Sequence, residues 1–471
     1  MTSSPRPAAP IDPAPLRRGA LGTADTRVPP GPQGPPLLGV GVQFQYDPLR
    51  RMTAWLREHG DVVHYRVGGT PWYLLGHPDD IASVLVGEHA RYMKDELTHE
   101  LARFVGRGLL TSEGSFWRRQ RRIAAPSFQP RHLAGFAATM AERTQRMIAT
   151  WPDASARDVH EDMMRLTLDI VLQTLFGAAT IPDLDAVGDI VSLLMADFQQ
   201  NFLTWRRLLP AWFNRDAIAR IDDARDRLDV ILYDIIRQRR AGADPENDGD
   251  LLGRLLAARD EDGSRMTDRQ LRDEVATLFL AGHETTALAL SYALHLLAHH
   301  PEVAERLHAE VDAVLDGGTA GLEHVARLPF TDAVVRETLR LYPPAWVIGR
   351  EALEDCTIAG WRIPRGAQVL MPQWSVHRDP RWFDDPERFA PERWLDGLAE
   401  RLPRFAYFPF GGGPRVCVGN HFANLEAVLA LATLAQRFRV SPVGPIELSL
   451  LPSVTLRPKD GVVLRTERRS A

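Results

Sequence analysis

FPFGGGPRVCVGNHF, residues 408–422, places a cysteine among glycines, next to an arginine and just before a helical pattern. A packed structural cysteine favours apolar neighbours on a regular element. Cys417 instead lies where glycines let the backbone bend sharply and where N–H groups are left free. The thiolate form of cysteine is the nucleophile and the metal ligand, and nearby N–H groups and cations stabilise it. The stretch therefore raises the question of what chemistry the thiol performs.

Composition limits the answer. The chain has 471 residues, of which 45% are hydrophobic and 25% charged, as in an ordinary soluble protein with a large core. A formal net charge of −5 implies no general attraction to nucleic acid. Because Cys356 and Cys417 are the only cysteines, we expect no disulfide framework and a reducing, cytoplasmic compartment. Cys356 precedes a strand pattern and is predicted to be a buried small side chain.

The first 38 residues differ in composition from the rest. They are rich in proline and small residues and include PPGPQGPP at Pro29–Pro36. They lack the run of about 20 apolar residues that a membrane helix needs. Arg17 and Arg18 resemble the start of a twin-arginine signal, but no apolar region follows them. We predict a disordered tail over residues 1–38, no membrane anchor, and one domain over residues 39–471.

Short strand patterns flank a long helical region. VVHYRV (Val62–Val67) and WYLLG (Trp72–Gly76) indicate a hairpin, and helical periodicity then dominates to about residue 340. Strand patterns return over Thr357–Met371 and on both sides of a turn at Asp460-Gly461. Because these strands lie far apart in sequence, we expect them to pair within one globule. The predicted fold class is mainly α with a minor β part.

The longest helical pattern carries polar residues in its middle. Thr267 and Gln270 are spaced as a capping box, and the pattern runs from there to Pro301 without an internal proline. It is apolar almost all round, so it should cross the core. Its middle reads AGHETT, residues 281–286, where a glycine costs about 1 kcal/mol relative to alanine. Small residues there let another group approach, and a carboxyl beside a hydroxyl can pass protons; a kinked core helix with a satisfied carboxyl is the alternative.

Two further segments are uninformative alone. In PFTDAVVRETLRLYPP, Glu337 and Arg340 share a helix face, and the helix must end before Pro343. An ordinary surface ion pair explains such a spacing. DDPERFAPERW, residues 384–394, reads only as a structured loop with acid–base pairs.

Taken together, these segments resemble the cytochrome P450 family of haem-thiolate monooxygenases. All the fixed positions of the family's cysteine loop are matched, by Phe410, Gly413, Arg415, Cys417 and Gly419. Residues 281–286 resemble the oxygen-binding groove of the family's long central helix, and Glu337-x-x-Arg340 its buried Glu–Arg motif. Residues 389–394 resemble the loop that supplies Arg393 to this motif, with Trp394 where Phe is more usual. The motifs occur in the family's order and span residue 29 to the C-terminus.

The resemblance implies the cofactor and its contacts. Cys417 is expected to be the axial thiolate ligand of haem b (iron protoporphyrin IX), where it donates electron density to iron and favours O–O cleavage. N–H groups freed by the loop glycines are expected to point at the sulfur. Trp117, Arg121, Arg350 and Arg415 are candidates for contacts to the two propionates. The full set of expected haem-binding residues is Trp117, Arg121, Ala281, Gly282, Arg350, Phe410, Gly411, Arg415, Cys417 and Gly419. Glu337, Arg340 and Arg393 would form a structural triad on the cysteine side.

The resemblance also implies the reaction. One atom of O2 would enter a hydrophobic small molecule, such as a terpenoid, a fatty acid or another lipid-like metabolite, by hydroxylation or epoxidation. Thr285 would hydrogen-bond dioxygen and Glu284 would help to relay protons, which favours a monooxygenase over a peroxide-using enzyme. The pocket is expected to be lined by the segment before Trp117 and by residues 204–213, 345–348 and 451–454.

The chain has no flavin or nicotinamide domain and no iron–sulfur cysteines, so electrons would come from an external ferredoxin or flavodoxin with its reductase. Arg118, Arg119 and Arg122 are candidates for its docking face, and a plain solvated helix face explains them as well. We expect a monomer.

Other functions fit the sequence less well. A zinc peptidase would need a second histidine where position 287 is alanine, and a phosphate-binding loop would need a lysine. A cysteine hydrolase would need an oriented histidine base, and His421 follows Cys417 too closely to serve. A redox pair with Cys356, a haem-thiolate peroxygenase, a catalytically silent haem protein and, less favoured, a haem-free thiol hydrolase stay open on the sequence alone.

Overall fold

A computed structural model provides the structure of the chain. It describes residues 28–35, 39–41, 46–177, 187–188, 190–191, 193–194, 215–241, 250–259, 263 and 265–469. Most of the predicted tail, residues 1–38, lies outside these ranges, so the prediction of disorder stays a prediction. Of the described part, Pro30 accepts a hydrogen bond from the N–H of His64 at 3.1 Å. Within the described residues, no helix combines the length and the apolar character that crossing a membrane requires.

Helices make up most of the described chain. In order they are α1 (Pro48–His59), α2 (Pro78–Ala82), α3 (Glu96–Glu100), α4 (Ala102–Val105), α5 (Gly114–Ala124), α6 (Pro130–Ala149), α7 (Val159–Leu175), α8 (Arg215–Ala241), α9 (Leu251–Ala257), α10 (Asp268–His299), α11 (Pro301–Leu315), α12 (Leu322–Val325), α13 (Pro329–Leu341), α14 (Gln373–Val376), α15 (Leu398–Arg401) and α16 (Asn420–Arg437). A π-helical turn covers Ser83–Gly87, and 3₁₀ turns cover His89–Arg91, Ala125–Phe128, Pro391–Trp394 and Gly413–Arg415.

Short strands form the minor β part. They are β1 (Val62–Val67), β2 (Thr70–Leu75), β3 (Tyr92–Lys94), β4 (Ser155–Asp158), β5 (Ile348–Ala352), β6 (Cys356–Ile358), β7 (Trp361–Ile363), β8 (Gln368–Met371), β9 (Phe438–Pro442), β10 (Leu450–Pro452), β11 (Leu456–Pro458) and β12 (Val463–Arg468). The largest sheet has the order β1-β2-β8-β5-β3; β4-β12-β9, β10-β11 and β6-β7 form the others.

The pairing of the strands agrees with a single globule. β1 and β2 form the predicted antiparallel hairpin, with Val62 opposite Leu75. β2 also pairs in parallel with β8, which brings Trp72 beside Gln368 across almost 300 positions of sequence. The turn predicted at Asp460-Gly461 is present, but it does not close a hairpin, because β11 pairs with β10 whereas β12 pairs with β4 and β9.

Helix α10 runs through the centre of the helical part. It begins at the predicted capping box, in which Thr267 accepts from the N–H of Gln270 and the Gln270 side chain accepts from the N–H of Thr267. Most of its residues are buried, and it packs against α7, α8, α13 and α16. As predicted, α13 ends at Leu341, before the proline pair. Cys356 is buried, as predicted.

Candidate functional site

A cavity of about 330 Å³ lies where α5, α10, α13, α16, the largest sheet and the cysteine loop (residues 408–419) meet. Every residue that the sequence assigned to haem binding lines this cavity: Trp117, Arg121, Ala281, Gly282, Arg350, Phe410, Gly411, Arg415, Cys417 and Gly419. Thr285 lines it too, but Glu284 does not. Segments that are 300 positions apart in sequence therefore converge on one site.

The cysteine loop is shaped by close packing. The N–H of Cys417 donates to the carbonyl of Phe410 at 2.9 Å, which closes the loop on itself. Gly413 has a φ of +66°, and a Cβ there would lie 1.8 Å from the carbonyl oxygen of Leu85 in the π-helical turn. Glycine is therefore required at this position by the approach of another backbone. The sequence predicts that the loop glycines free N–H groups, and the structure adds this steric reason at Gly413.

Cys417 is exposed, and it is one of the residues that line the cavity. Burial raises the pKa of the thiol, and the N–H of Gly419 and the charges of Arg121 and Lys94 oppose that rise. A metal ion bound to such a sulfur removes its proton outright. The position thus suits a ligated thiolate better than a free nucleophile.

Among the described residues, four cationic side chains line the cavity: Lys94, Arg121, Arg350 and Arg415. The Arg415 guanidinium lies 3.9 Å from the centre of the Trp117 ring and donates to the Ser112 carbonyl at 2.9 Å and to the Glu113 carboxylate. Its Nη1 is buried without a hydrogen-bond partner among the described residues. A buried guanidinium nitrogen without an acceptor is costly, so this end of the cavity is suited to an anionic ligand.

Lys94 is the member of this cluster that the sequence analysis missed. It ends β3, directly opposite Arg350 on β5. Burial, followed by the charges of Arg350 and Arg415, lowers the pKa of Lys94 to about 7. The pKa of Arg350 falls to about 10, also mainly through burial. Lys94 is one of two lysines in the chain, which was the only available signal; no local pattern shows that a three-residue strand carries it into the cavity.

The predicted structural triad is present, outside the cavity wall. The fully buried Glu337 carboxylate accepts two hydrogen bonds from Arg340, at 2.8 and 2.9 Å, and one from Arg393 at 3.1 Å. The N–H of Ala390 and the indole N–H of Trp394 add two more, at 3.1 and 2.8 Å. Burial by itself raises the pKa of Glu337, but these cations and donors hold it below its usual value. Trp394, the departure from the family pattern, thus serves as a further donor.

The acid and the alcohol of AGHETT face different ways. Thr285 lines the cavity, and its hydroxyl donates to the carbonyl of Ala281 at 2.9 Å. Glu284 is buried on another side of α10, where it pairs with Arg457 at 2.5 Å and accepts from the Thr455 hydroxyl. Burial would raise the pKa of Glu284, but the charge of Arg457 and these hydrogen bonds hold it below its usual value. The structure therefore brings Thr285 to the site and leaves Glu284 in an ion pair behind it.

The predicted pocket segments have different outcomes. Ala345 and Ile348 line the cavity, and so do Leu109 and Leu110 from the segment before Trp117. Residues 451–454 do not line it; the carbonyl of Ser453 instead accepts from the indole of Trp346 at 2.9 Å. Residues 204–213 lie outside the described residues.

The sequence matches the family model described as "Cytochrome P450" over residues 29–465. This chain belongs to the cytochrome P450 family. It is accordingly a P450 monooxygenase, and its fold is the one that the sequence predicted.

Similar proteins include bacterial P450s with named reactions. "Cyclooctatin synthase" of Streptomyces melanosporofaciens is 36% identical over 432 residues, which cover 90% of this chain and 92% of the relative. "Pentalenene oxygenase" of Streptomyces avermitilis is 35% identical over 419 residues, 87% of this chain and 90% of the relative. The structure of the retinoic-acid-bound cyanobacterial CYP120A1 superposes with a TM-score of 0.82 at 28% identity, covering 94% of this chain and 99% of that one.

P450 membership implies haem with a cysteine thiolate ligand, and the cavity residues fit that group. An iron porphyrin needs a soft ligand for its metal. Its two carboxylates need hydrogen-bond donors or cations that lack other acceptors. The Cys417 sulfur, which is accessible from the cavity, meets the first requirement. The unpartnered Nη1 of Arg415 and the mutually repelling Lys94 and Arg350 meet the second. Glu113, which pairs with Arg415, offsets only part of this positive charge.

Proposed function

We propose that this P450 inserts one oxygen atom from O2 into a terpenoid hydrocarbon or a sparsely oxygenated derivative, with electrons from an external ferredoxin or flavodoxin and its reductase. The observation that carries the proposal is the division of the cavity. Cys417 and the cationic cluster contribute the charged part of its wall, and the remaining wall is mostly apolar, with Thr277, Thr285, Thr286 and Asn424 as its polar members. The names of the relatives, which refer to cyclooctatin and pentalenene, support the terpenoid class.

The protein's role begins with holding the haem. Cys417 would ligate the iron, while Lys94, Arg121, Arg350 and Arg415, with the Trp117 indole, would hold the propionates. When bound, the haem would supply the activation of O2. Because Lys94 and Arg350 lie opposite each other on β3 and β5, the sheet fixes their spacing before the cofactor enters. This preorganisation reduces the cost of ordering the contacts.

The apolar wall favours a terpenoid over a fatty acid. It includes Leu109, Leu110, Leu278, Ala289 and Ile348, which offer no hydrogen-bond partner to a polar substrate. A fatty acid would need a partner for its carboxylate. Among the described residues that line the cavity, every cation belongs to the cluster assigned to the propionates. A hydrocarbon skeleton, in contrast, gains from burial alone.

We assign to the Thr285 hydroxyl the delivery of a proton at the place where O2 would bind. Its hydroxyl now donates to the Ala281 carbonyl, and a rotation about χ1 would direct it into the cavity. Glu284 can join a proton path only after Arg457 releases it. The expected consequence is that Thr285→Ala consumes reducing equivalents without forming product and releases peroxide, while Thr285→Ser keeps the coupling. Unchanged product per electron in Thr285→Ala would remove Thr285 from the mechanism.

Exposed arginines on α5 support an acidic external electron donor. Arg118 and Arg122 are exposed on α5, the helix that also carries Trp117 and Arg121 into the cavity. An acidic ferredoxin or flavodoxin docked there would be close to the haem edge, and its reduction rate would fall with ionic strength. Reversing the charge of both residues should reduce the rate of the first electron transfer without changing the carbon monoxide spectrum.

The decisive experiment for the proposed function uses the purified protein with haem. Its reduced, carbon-monoxide-treated visible spectrum tests the thiolate ligand, and Cys417→Ser is the matched control that should lose it. Turnover of pentalenene under labelled O2, with a surrogate ferredoxin and reductase, tests the substrate class and the source of the oxygen. A thiolate spectrum with activity only on added peroxide would favour a peroxygenase, and one without any turnover would favour a silent haem protein.

A further inference from the structure

The cavity wall formed by Leu109 and Leu110 is not supported by a regular element. These residues belong to a loop, residues 106–112, between α4 and α5. The loop is closed by its own hydrogen bonds: the Thr111 hydroxyl donates to the Gly106 carbonyl at 2.6 Å, and the N–H of Ser112 to the Gly108 carbonyl at 3.0 Å. Its position in the molecule must therefore be set by what it contacts.

The first turns of α10 supply those contacts through two adjacent acids. Asp273 accepts from the N–H of Arg107 at 2.9 Å. Gly106, at φ +70°, lies so close that a Cβ would be 2.0 Å from the Asp273 carboxylate. Arg272, the preceding residue, donates to the carbonyl of Phe104 at 2.9 Å. The loop thus approaches α10 as closely as glycine permits.

Glu274 makes the contact nearest to the cavity wall. One carboxylate oxygen accepts from the N–H of Leu109 at 3.1 Å, and the other from the side-chain amide of Gln120 at 3.0 Å. Glu274 and Gln120 are each about 1% exposed. A carboxyl group so deeply buried is costly unless its oxygens are satisfied, and here both are satisfied by the loop and the helix that follows it. Neither bond lies within α10: one joins it to the loop and the other joins it to α5.

We propose that Glu274 is a positioning residue that fixes Leu109 and Leu110 against the substrate, so that the adjacent acids of α10 set the size of ligand that the cavity accepts. This role deepens the proposed function. It rests on that function in one respect only, namely that the substrate binds in this cavity. Glu274 does not line the cavity, so it acts through the backbone of Leu109.

The chemistry of the Glu274–Gln120 pair defines a conservative variant. In Glu274→Gln, the new carbonyl oxygen accepts from Leu109, and the new amide nitrogen faces Gln120. The Oε1 of Gln120 has no hydrogen-bond partner among the described residues. Rotating the Gln120 amide by half a turn therefore provides the acceptor that the new nitrogen needs. Glu274→Met keeps a similar volume and removes both acceptors, so only this variant should free the loop.

The experiment compares ligand size and backbone protection in the haem-loaded protein. Imidazole reports access to the haem, and 1-phenylimidazole also requires the surrounding wall. In Glu274→Met we expect the Kd of 1-phenylimidazole to change about tenfold while that of imidazole changes less than about twofold. Amide hydrogen exchange over residues 106–112 should become about tenfold faster, and this readout does not depend on activity. Glu274→Gln should keep the ratio of the two Kd values of the unmodified protein, and its amide exchange over residues 106–112 should be no faster.

Asp158→Leu is the control for general destabilisation. The Asp158 carboxylate also accepts two backbone N–H groups, those of His160 and Val462, both at 2.9 Å, and it pins a loop that does not line the cavity. It should lower stability without altering the ratio of the two Kd values. A similar change of that ratio in Asp158→Leu would overturn the inference, and so would an unchanged ratio in Glu274→Met.

If Glu274→Met does not fold, Gln120→Leu decides, because it removes one of the two bonds and keeps the carboxyl. A smaller change in the same direction supports the inference and an unchanged ratio overturns it. Failure of the proposed function is distinguishable, because it appears in the unmodified protein as the absence of a thiolate spectrum or of terpenoid turnover.

Discussion

Replacing Glu337 by alanine tests the buried triad most directly. The carboxylate accepts five hydrogen bonds, from Arg340 (two), Arg393, Ala390 and Trp394, and it is inaccessible to solvent. Its removal leaves the Arg340 guanidinium buried without its counter-ion. Breaking a buried ion pair in this way costs about 3–5 kcal/mol, which is a large share of the roughly 5–15 kcal/mol that stabilises a typical domain.

The structure refines this magnitude. Arg340 also donates to the carbonyls of His377, Pro386 and Arg388, at 3.0, 2.6 and 3.1 Å, so its charge keeps acceptors after the substitution. We therefore expect a loss near the lower end, about 3 kcal/mol. Glu337→Gln keeps the volume and one acceptor oxygen and should fall between the alanine variant and the unmodified protein.

The assay has two readouts on the same samples. Urea denaturation followed by circular dichroism gives the free energy of unfolding, and the reduced carbon monoxide spectrum gives the haem content per protein. Glu305→Ala is the control, because its ion pair with Arg439 is largely exposed and should contribute less than about 1 kcal/mol. Normal haem content and a free energy of unfolding that matches this control in Glu337→Ala would refute the assignment of Glu337 as a structural anchor.

Three further predictions concern charge at the site and in the core. Lys94→Met should release haem to apomyoglobin faster than the unmodified protein, whereas Lys459→Met, the exposed lysine, should not; equal rates would remove Lys94 from the propionate site. Arg457→Met should raise the pKa of the buried Glu284 carboxyl, measurable as proton uptake near neutral pH; no uptake would contradict the ion pair. Burial raises the pKa of Glu274 to about 7 from 4.5. The folded protein therefore holds an extra proton between these values, and stability falls as pH rises through them. Glu274→Gln should gain up to about 3 kcal/mol relative to the unmodified protein between pH 4 and pH 8; a pH-independent difference in urea denaturation would contradict this.

Local patterns carried the prediction of the fold and of most of the site. The capping box at Thr267, the end of α13 before Pro343 and the β1–β2 hairpin are coded by neighbouring residues, so the sequence predicts them without knowledge of the rest. The cysteine loop is similar, because its spacing is specific over a short stretch. The β11–β12 turn shows the limit: the turn is local, but the partner of each strand is not.

The directions in which the side chains point could be determined only from the tertiary structure. AGHETT contains an acid and an alcohol side by side, but successive residues on a helix point in different directions, and only the position of Arg457 determines that Glu284 faces away from the cavity. Lys94 enters the site because β3 pairs with β5. Gln120 and Glu274 meet because a loop folds back on α10. None of these contacts leaves a periodic trace in the sequence.

By itself, the sequence indicated which residue is the candidate metal ligand, and it determined which helix crosses the core and which family the chain resembles, because these properties depend on residue types at fixed short spacings. Only the tertiary structure decided that Lys94 joins the arginines at the cavity, that Glu284 faces away from the cavity, and that Glu274 contacts the loop of Leu109 and Leu110. Those outcomes depend on contacts between segments that are more than 150 positions apart, for example Leu109 and Glu274. Burial and charge at such contacts arise only when the chain is packed.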